Sequence, residues 1–214
     1  MSKSNNGVKE GLIQFLTTSG NLIALNVLWF ICCLPLITIG PSTCALFHCT
    51  LNIARGEDLS VLKTFFKAFK DNFKQGFIVG AFCVTSLITI AGDIYYAINQ
   101  TGILQIIYIV VSIIMSAVLL IIITYGNGLI VTYENGLKGH IINAFKLAFV
   151  SPLHTLLMWI ILLAPIAMLL FIQPIVLLYS AGILLLVCFS LPVYICSLVL
   201  NIVFIRANER KKSL

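Results

Sequence analysis

Groups able to do chemistry are scarce in this 214-residue chain, and the first set to weigh is Cys44, His48, Cys49 and Asn52. A helix would gather these four on little more than two turns. Two thiols and an imidazole are metal ligands, but a zinc-type site needs a second ligand pair at matching spacing, and none follows. The reading is therefore a packed, hydrogen-bonded histidine and no metal. Asp93 and Glu134 each close an apolar run, and His140 and His154 flank a later one. No pair of carboxylates is placed to meet. The chain has no Gly-x-Ser-x-Gly, no phosphate-binding Gly-Lys loop and no His-Glu-x-x-His. It reads as a non-enzyme with no catalytic residue and no cofactor.

The densest pattern is one of charge beside aromatic rings. Leu62, Phe66, Phe69 and Phe73 recur at i, i+4, i+7 and i+11, and Lys63, Lys67, Lys70 and Lys74 repeat that spacing one residue later. On a helix the two stripes lie about 100° apart. Rings of this kind sink into the acyl boundary while ammonium groups reach anionic headgroups, at roughly 1 kcal/mol each. Segment 57–75 is therefore expected to be an interfacial amphipathic helix on the cytoplasmic side, anchoring that face to the lipid bilayer or docking a partner. Gly56, Glu57 and Asp58 supply its turn and put negative charge near its N-terminus. Four lysines on a membrane-bound helix need no nucleic acid to explain them, and none is expected.

The elements that must position these residues follow from composition. The chain is 60% hydrophobic and 9% charged, against about a quarter charged in soluble proteins. It is expected to be one membrane domain, 1–214. Apolar runs occur at 21–39, 42–54, 76–98, 102–132, 153–172 and 175–205. The expected fold is all-α: a polytopic membrane protein of about six transmembrane segments in three hairpins, with cytoplasmic interfacial amphipathic helices. All thirteen basic residues fall before the first run, between the second and third, between the fourth and fifth, or after the last. The positive-inside rule then places both termini in the cytoplasm, with 1–20 a cytoplasmic N-terminal segment and 206–214 a basic tail. A rival count of five makes 42–54 re-entrant or interfacial, and the charge distribution speaks for six.

Pro35, Gly40 and Pro41 mark the turn of the first hairpin, with Thr38-Ile39-Gly40-Pro41 as irregular backbone in the outer half of the bilayer, where other helices must shelter it. The missing N–H of Pro41 suits the start of the second helix. Pro165 and Pro192 interrupt later runs as kinks. The seven cysteines sit inside apolar runs and read as small core residues, not disulfides. A short repeat joins Ala68-Phe69-Lys70 and Phe73 to Ala144-Phe145-Lys146 and Phe149, each just before a membrane run.

The opening third resembles the YesL family of bacterial membrane proteins, also called DUF624. The resemblance rests on the Asn-containing entry from Asn21 to Asn26, Leu34-Pro35, Thr38-Ile39-Gly40-Pro41, Arg55-Gly56-Glu57 and the run from Phe65 to Lys74. What it implies is a multi-pass protein of the bacterial cell membrane, with no catalytic residue to carry over, from a family often encoded among genes for carbohydrate uptake and breakdown. The expected function is a non-enzymatic accessory or regulatory membrane protein associated with a carbohydrate ABC importer, whose permease and ATPase subunits would be its partners. The Glu-Ala-Ala loop that marks ordinary permease subunits is absent from the sequence. The alternative is a stand-alone transporter or facilitator for a small neutral solute, with its site near the Gly40-Pro41 turn and the Pro165 and Pro192 kinks.

Overall fold

A computed structural model describes residues 2–171 and 189–212. Side chains at 2–8, at 166, at 168–171 and beyond 209 are outside that description, as are the Gln173-Pro174 connection, Ser180, Cys188 and the first part of the sixth apolar run. Among the described residues nine α-helices follow in order. They are α1 (Ser2–Cys33), α2 (Ile39–Ala54), α3 (Val61–Asp71), α4 (Phe73–Asn99), α5 (Ile103–Ile121), α6 (Asn127–Thr132), α7 (Leu137–Val150), α8 (Pro152–Phe171) and α9 (Ser190–Lys212). A 3₁₀ turn, Leu36–Thr38, joins α1 to α2, and a π-helical turn, Ile122–Gly126, joins α5 to α6. The protein is all-α and multi-pass. Five stretches are long and apolar enough to cross a bilayer, namely Lys9–Cys33, Leu36–Ala54, Phe73–Asn99, Ile103–Thr132 and Ser190–Glu209, and the count reaches six only where the two arms of the bent pair α7–α8 are taken as one span.

The core is built around α2, which touches α1, α3, α4, α6 and α9. Its small residues let neighbours in on every side: Gly40, Ser42, Cys44, Ala45, Cys49 and Thr50 are all buried, with Phe47 filling the space between them. Polar groups on α2 are bonded across helix boundaries. Trp29 Nε1 donates to Thr43 Oγ1 at 3.2 Å, Cys44 Sγ donates to Asn127 Oδ1 at 3.3 Å, and the Thr50 and Ser197 hydroxyls are 2.8 Å apart. His48 Nε2 faces the Asn52 amide at 3.4 Å. Such bonds matter in a bilayer, where lipid tails are as apolar as the helix surfaces and association depends on packing and hydrogen bonding.

Three sequence expectations need correction here. First, Gly40 and Pro41 are not irregular backbone. The chain breaks at Leu34-Pro35, because proline lacks the N–H and pushes its predecessor out of the helical region. Thr38 then closes the turn, its N–H donating to the Pro35 carbonyl at 2.9 Å and its Oγ1 lying 2.6 Å from the Cys32 carbonyl and 2.7 Å from that of Pro35. Gly40 and Pro41 are the second and third residues of α2, both buried. Second, 1–20 is not a separate segment, since α1 runs unbroken from Ser2 into the first apolar run. Third, Pro165 lies within a continuous α8 and Pro192 within the first turn of α9. The sharp bend is at Ser151, where α7 and α8 meet at 105° and Pro152 opens the new helix, its missing N–H costing nothing there.

What Gly40 does is admit another backbone. A Cβ on it would fall within 3 Å of the Gly76 carbonyl group and of Gly80 Cα, and a Cβ on Gly76 would be 2.9 Å from Pro41 Cα. The spacing Gly76-x-x-x-Gly80 presents two small residues on one face of α4, as close helix pairs in membranes require. Gly80 meets Ile39 and Gly40 while Gly76 meets Pro41 and Cys44, so α2 and α4 run antiparallel. From Gly80 to Asn99, α4 continues for roughly 28 Å at 1.5 Å per residue, which leaves the tip of the first hairpin on the order of 20 Å short of the α4–α5 turn. The hairpins are therefore unequal in reach.

Candidate docking face and its counterpart

A helix does occupy the segment predicted to be interfacial, but it is shorter than 57–75. Gly56 turns the chain at φ 76°, and α3 spans only Val61 to Asp71. Asn72 breaks it, its side-chain amide donating to the Ala68 carbonyl at 2.9 Å, and Phe73 and Lys74 open α4 instead. The helix has three faces, not two. Val61, Phe65, Ala68 and Asn72 turn toward the protein, with Phe65 fully buried. The Phe stripe lies beside that packed face and stays outside: Leu62 is 62% exposed, Phe66 51% and Phe69 half-buried. Lys63, Lys67 and Lys70 form the third face, exposed, with Lys74 following on α4. The structure thus holds Lys63, Phe66, Lys67, Phe69, Lys70, Phe73 and Lys74 along one outer flank, anchored by a residue, Phe65, that the stripe analysis passed over.

The short repeat has a counterpart in three dimensions. Ala144 is buried as Ala68 is, Phe145 is half-buried as Phe69 is, and Lys146 and Phe149 are exposed as Lys70 and Phe73 are. Each short helix ends at a one-residue break, Asn72 or Ser151, before a long apolar helix. Both helices belong to the same end of the bundle. Gln75 Nε2 donates to the Asn135 carbonyl at 3.2 Å, Asn208 Nδ2 donates to Tyr133 Oη at 3.3 Å, and the Tyr133 and Phe204 rings meet edge-on at 5.7 Å. These contacts draw the start of α4, the α6–α7 connection and the end of α9 together. Lys74, Lys138 and Arg206 sit beside them, so the three basic clusters that follow the second, fourth and sixth apolar runs share one end.

His140, near the start of α7, is buried, and that burial pulls its imidazole below the usual histidine range, against a smaller opposing effect of the Asn135 backbone. The thiol and imidazole considered as metal ligands face different partners, Asn127 for Cys44 and Asn52 for His48. Sequence reasoning missed the π turn. Its only signal was the density of polar and small residues at Thr124, Gly126, Asn127 and Gly128 within an apolar run.

Residues 22–94, from the second half of α1 through α2 and α3 to most of α4, match the family described as a protein of unknown function, DUF624. Over 155 residues, 71% of this chain and 73% of the relative, the sequence is 28% identical to the uncharacterized protein YesL of Bacillus subtilis (strain 168). These matches support YesL/DUF624 membership. No solved structure matches the chain. The DUF624 segment coincides with the part of the fold that surrounds α2. It contains the Gly40, Gly76 and Gly80 contact and the whole of α3, so the YesL-like features are those that fix the core and hold the basic flank.

Proposed function

We propose that this protein is a non-enzymatic accessory or regulatory component of a bacterial carbohydrate ABC importer, resident in the cell membrane with both termini in the cytoplasm. The observation that carries the reading is the three-faced α3. A helix held rigidly by Phe65 and Ala68 while Leu62, Phe66 and three lysines face outward is a preformed contact surface, and α7 repeats its plan. Preformed surfaces bind at lower ordering cost than flexible ones. The importer as partner comes from the family resemblance. The alternative, a facilitator for a small neutral solute, loses the location first expected for its site, because α4 backbone fills the space at Gly40.

Copurification decides between them. Tagged protein extracted in mild detergent from its own cells is expected to bring down carbohydrate permease and ATPase subunits. Replacing Lys63, Lys67 and Lys70 together by Gln should abolish that recovery while leaving membrane insertion intact. Solute flux through liposomes containing this protein alone would sink the accessory reading.

A further inference from the structure

Away from the docking flank, α4, α5 and α8 enclose a groove of about 560 Å³, walled by Ile94, Ala97, Ile109, Ser112, Ser116 and Trp159 among others. That volume falls within the range of small-molecule sites, about 300–1,000 Å³. The walls are mostly apolar, but two buried polar atoms on them, Ser112 Oγ and Trp159 Nε1, have no hydrogen-bond partner among the described residues. Ser112 is 8% exposed. A third unpartnered atom, Asp93 Oδ2, is not on the wall itself but one turn from two α4 residues that are, Ile90 and Ala97. The stacking of Tyr96 on Tyr108, centroids 5.6 Å apart, sets the antiparallel register of α4 and α5. Three residues before Tyr96 and four after Tyr108, Asp93 and Ser112 therefore stand level on facing helices. An ionisable residue with an unpartnered oxygen inside an apolar helix pair is costly to keep and marks a functional site.

We infer that this groove binds a long-chain amphiphile with a hydroxyl-bearing, uncharged head. The three orphan atoms define that chemistry. A carboxylate oxygen needs a donor, whereas an indole N–H only donates and a serine hydroxyl does both. A bare acyl chain answers none of them, and an ester answers the donors but not Asp93. A hydroxyl group answers all three, because it donates to Asp93 and accepts from Ser112 and Trp159. Its chain lies along Ile94, Ile109 and the neighbouring isoleucines. Tyr95, Tyr96 and Tyr108, about one turn nearer the α4–α5 connection, stand at the level where tyrosines gather at a membrane surface.

Trp29 and Trp159 are the two tryptophans, so Trp29→Phe leaves Trp159 as the sole tryptophan, excited apart from the tyrosines at the red edge of its absorption. The probe is a monoacylglycerol with a brominated chain, added to vesicles of phosphatidylethanolamine and phosphatidylglycerol containing this variant. Quenching of Trp159 is expected to saturate and to be relieved by unlabelled monoacylglycerol. The brominated fatty-acid methyl ester, with the same chain and no hydroxyl, should quench only in proportion to its mole fraction. Asp93→Asn and Ser112→Ala should each raise the half-saturating mole fraction by roughly tenfold, the loss of one hydrogen bond to a buried site. Ser112→Ala, which deletes a single oxygen, carries the test if Asp93→Asn fails to fold. Equal saturation by the methyl ester overturns the proposal, as does unchanged half-saturation in a variant with the parent's circular dichroism.

Discussion

The Tyr125 phenol and the Thr155 hydroxyl lie 2.9 Å apart, both buried, and the other acceptors around Thr155 favour the phenol as donor. Thr155 has a single hydrogen, and its oxygen also lies 3.1 Å from the Ala148 carbonyl and 3.0 Å from that of Ser151. When Thr155 spends that hydrogen on either carbonyl, Tyr125 is left to donate to Thr155. The bond fastens the π turn of the α5–α6 segment to the elbow where α7 becomes α8.

Unequal costs follow for the two partners. Tyr125→Phe removes a hydrogen bond and leaves Thr155 still donating, at about 0.5–1.5 kcal/mol. Thr155→Val keeps the shape but strands the phenol in the core, at about 1–3 kcal/mol. Thermal unfolding in detergent should show Thr155→Val as the worse of the two. The double variant should cost less than the sum of the singles, because it leaves no orphan behind. Additive losses would mean that the bond does not form.

Glycine substitutions separate close approach from mere flexibility. Gly40→Ala and Gly76→Ala each drive a methyl into the facing backbone, and backbone cannot swing aside as a side chain can. Overpacking of this kind costs about 1–3 kcal/mol. Gly92 lies on the same α4 helix with nothing within 4 Å of its would-be Cβ, so Gly92→Ala should be neutral or stabilising by up to about 1 kcal/mol. Melting of the three variants in one detergent checks the contrast.

His140 gives the fold a pH dependence of definite sign. Its imidazole is held below the usual range by burial, while in the unfolded chain it titrates near the ordinary value of about 6.5. Between those two values the unfolded state binds more protons, so stability rises with pH there. The contribution is complete above about pH 6.5 and is lost as the pH falls below it. Melting temperatures from pH 7.5 down to pH 5 should fall more steeply for the parent protein than for His140→Gln, and equal slopes would refute the assignment.

Much of this architecture is legible in the residues, and what is not has identifiable causes. The apolar runs announce the long helices because a bilayer demands some twenty apolar residues per crossing. The basic clusters after the second, fourth and sixth apolar runs share one end, as their distribution implies. The face of α3 that enters the protein is ambiguous in sequence, because Val61, Phe65, Ala68 and Asn72 have the same spacing as Leu62, Phe66, Phe69 and Phe73. Gly40 beside Pro41 carries the composition of a turn, and only the approach of Gly76 and Gly80 shows that its role is contact. Tyr125 and Thr155 are thirty residues apart with no periodicity to link them. Ser112 is a hydroxyl within an apolar run, and its isolation is visible only once its neighbours are placed.

Charge placement speaks against a first run that crosses alone beside a re-entrant second, yet it cannot distinguish a first hairpin that crosses the membrane from one that turns back within it as a whole, because either returns the chain to the side from which it started. Geometry can, since the Gly40 contact is level with Gly76 and Gly80 near the basic end of α4. The tip at Leu34, Leu36 and Ile37 is apolar and exposed, and so suited to lipid tails, not headgroups. Single cysteines at Ile37 and Gln100, in a background lacking the native thiols, test this with a membrane-impermeant maleimide on intact cells and on inverted vesicles. Gln100→Cys, at the far end of α4, should label from the outside. Ile37→Cys should label from neither face until detergent is added. Labelling of Ile37→Cys from outside at the rate of Gln100→Cys would place both tips at one surface and restore three equal hairpins.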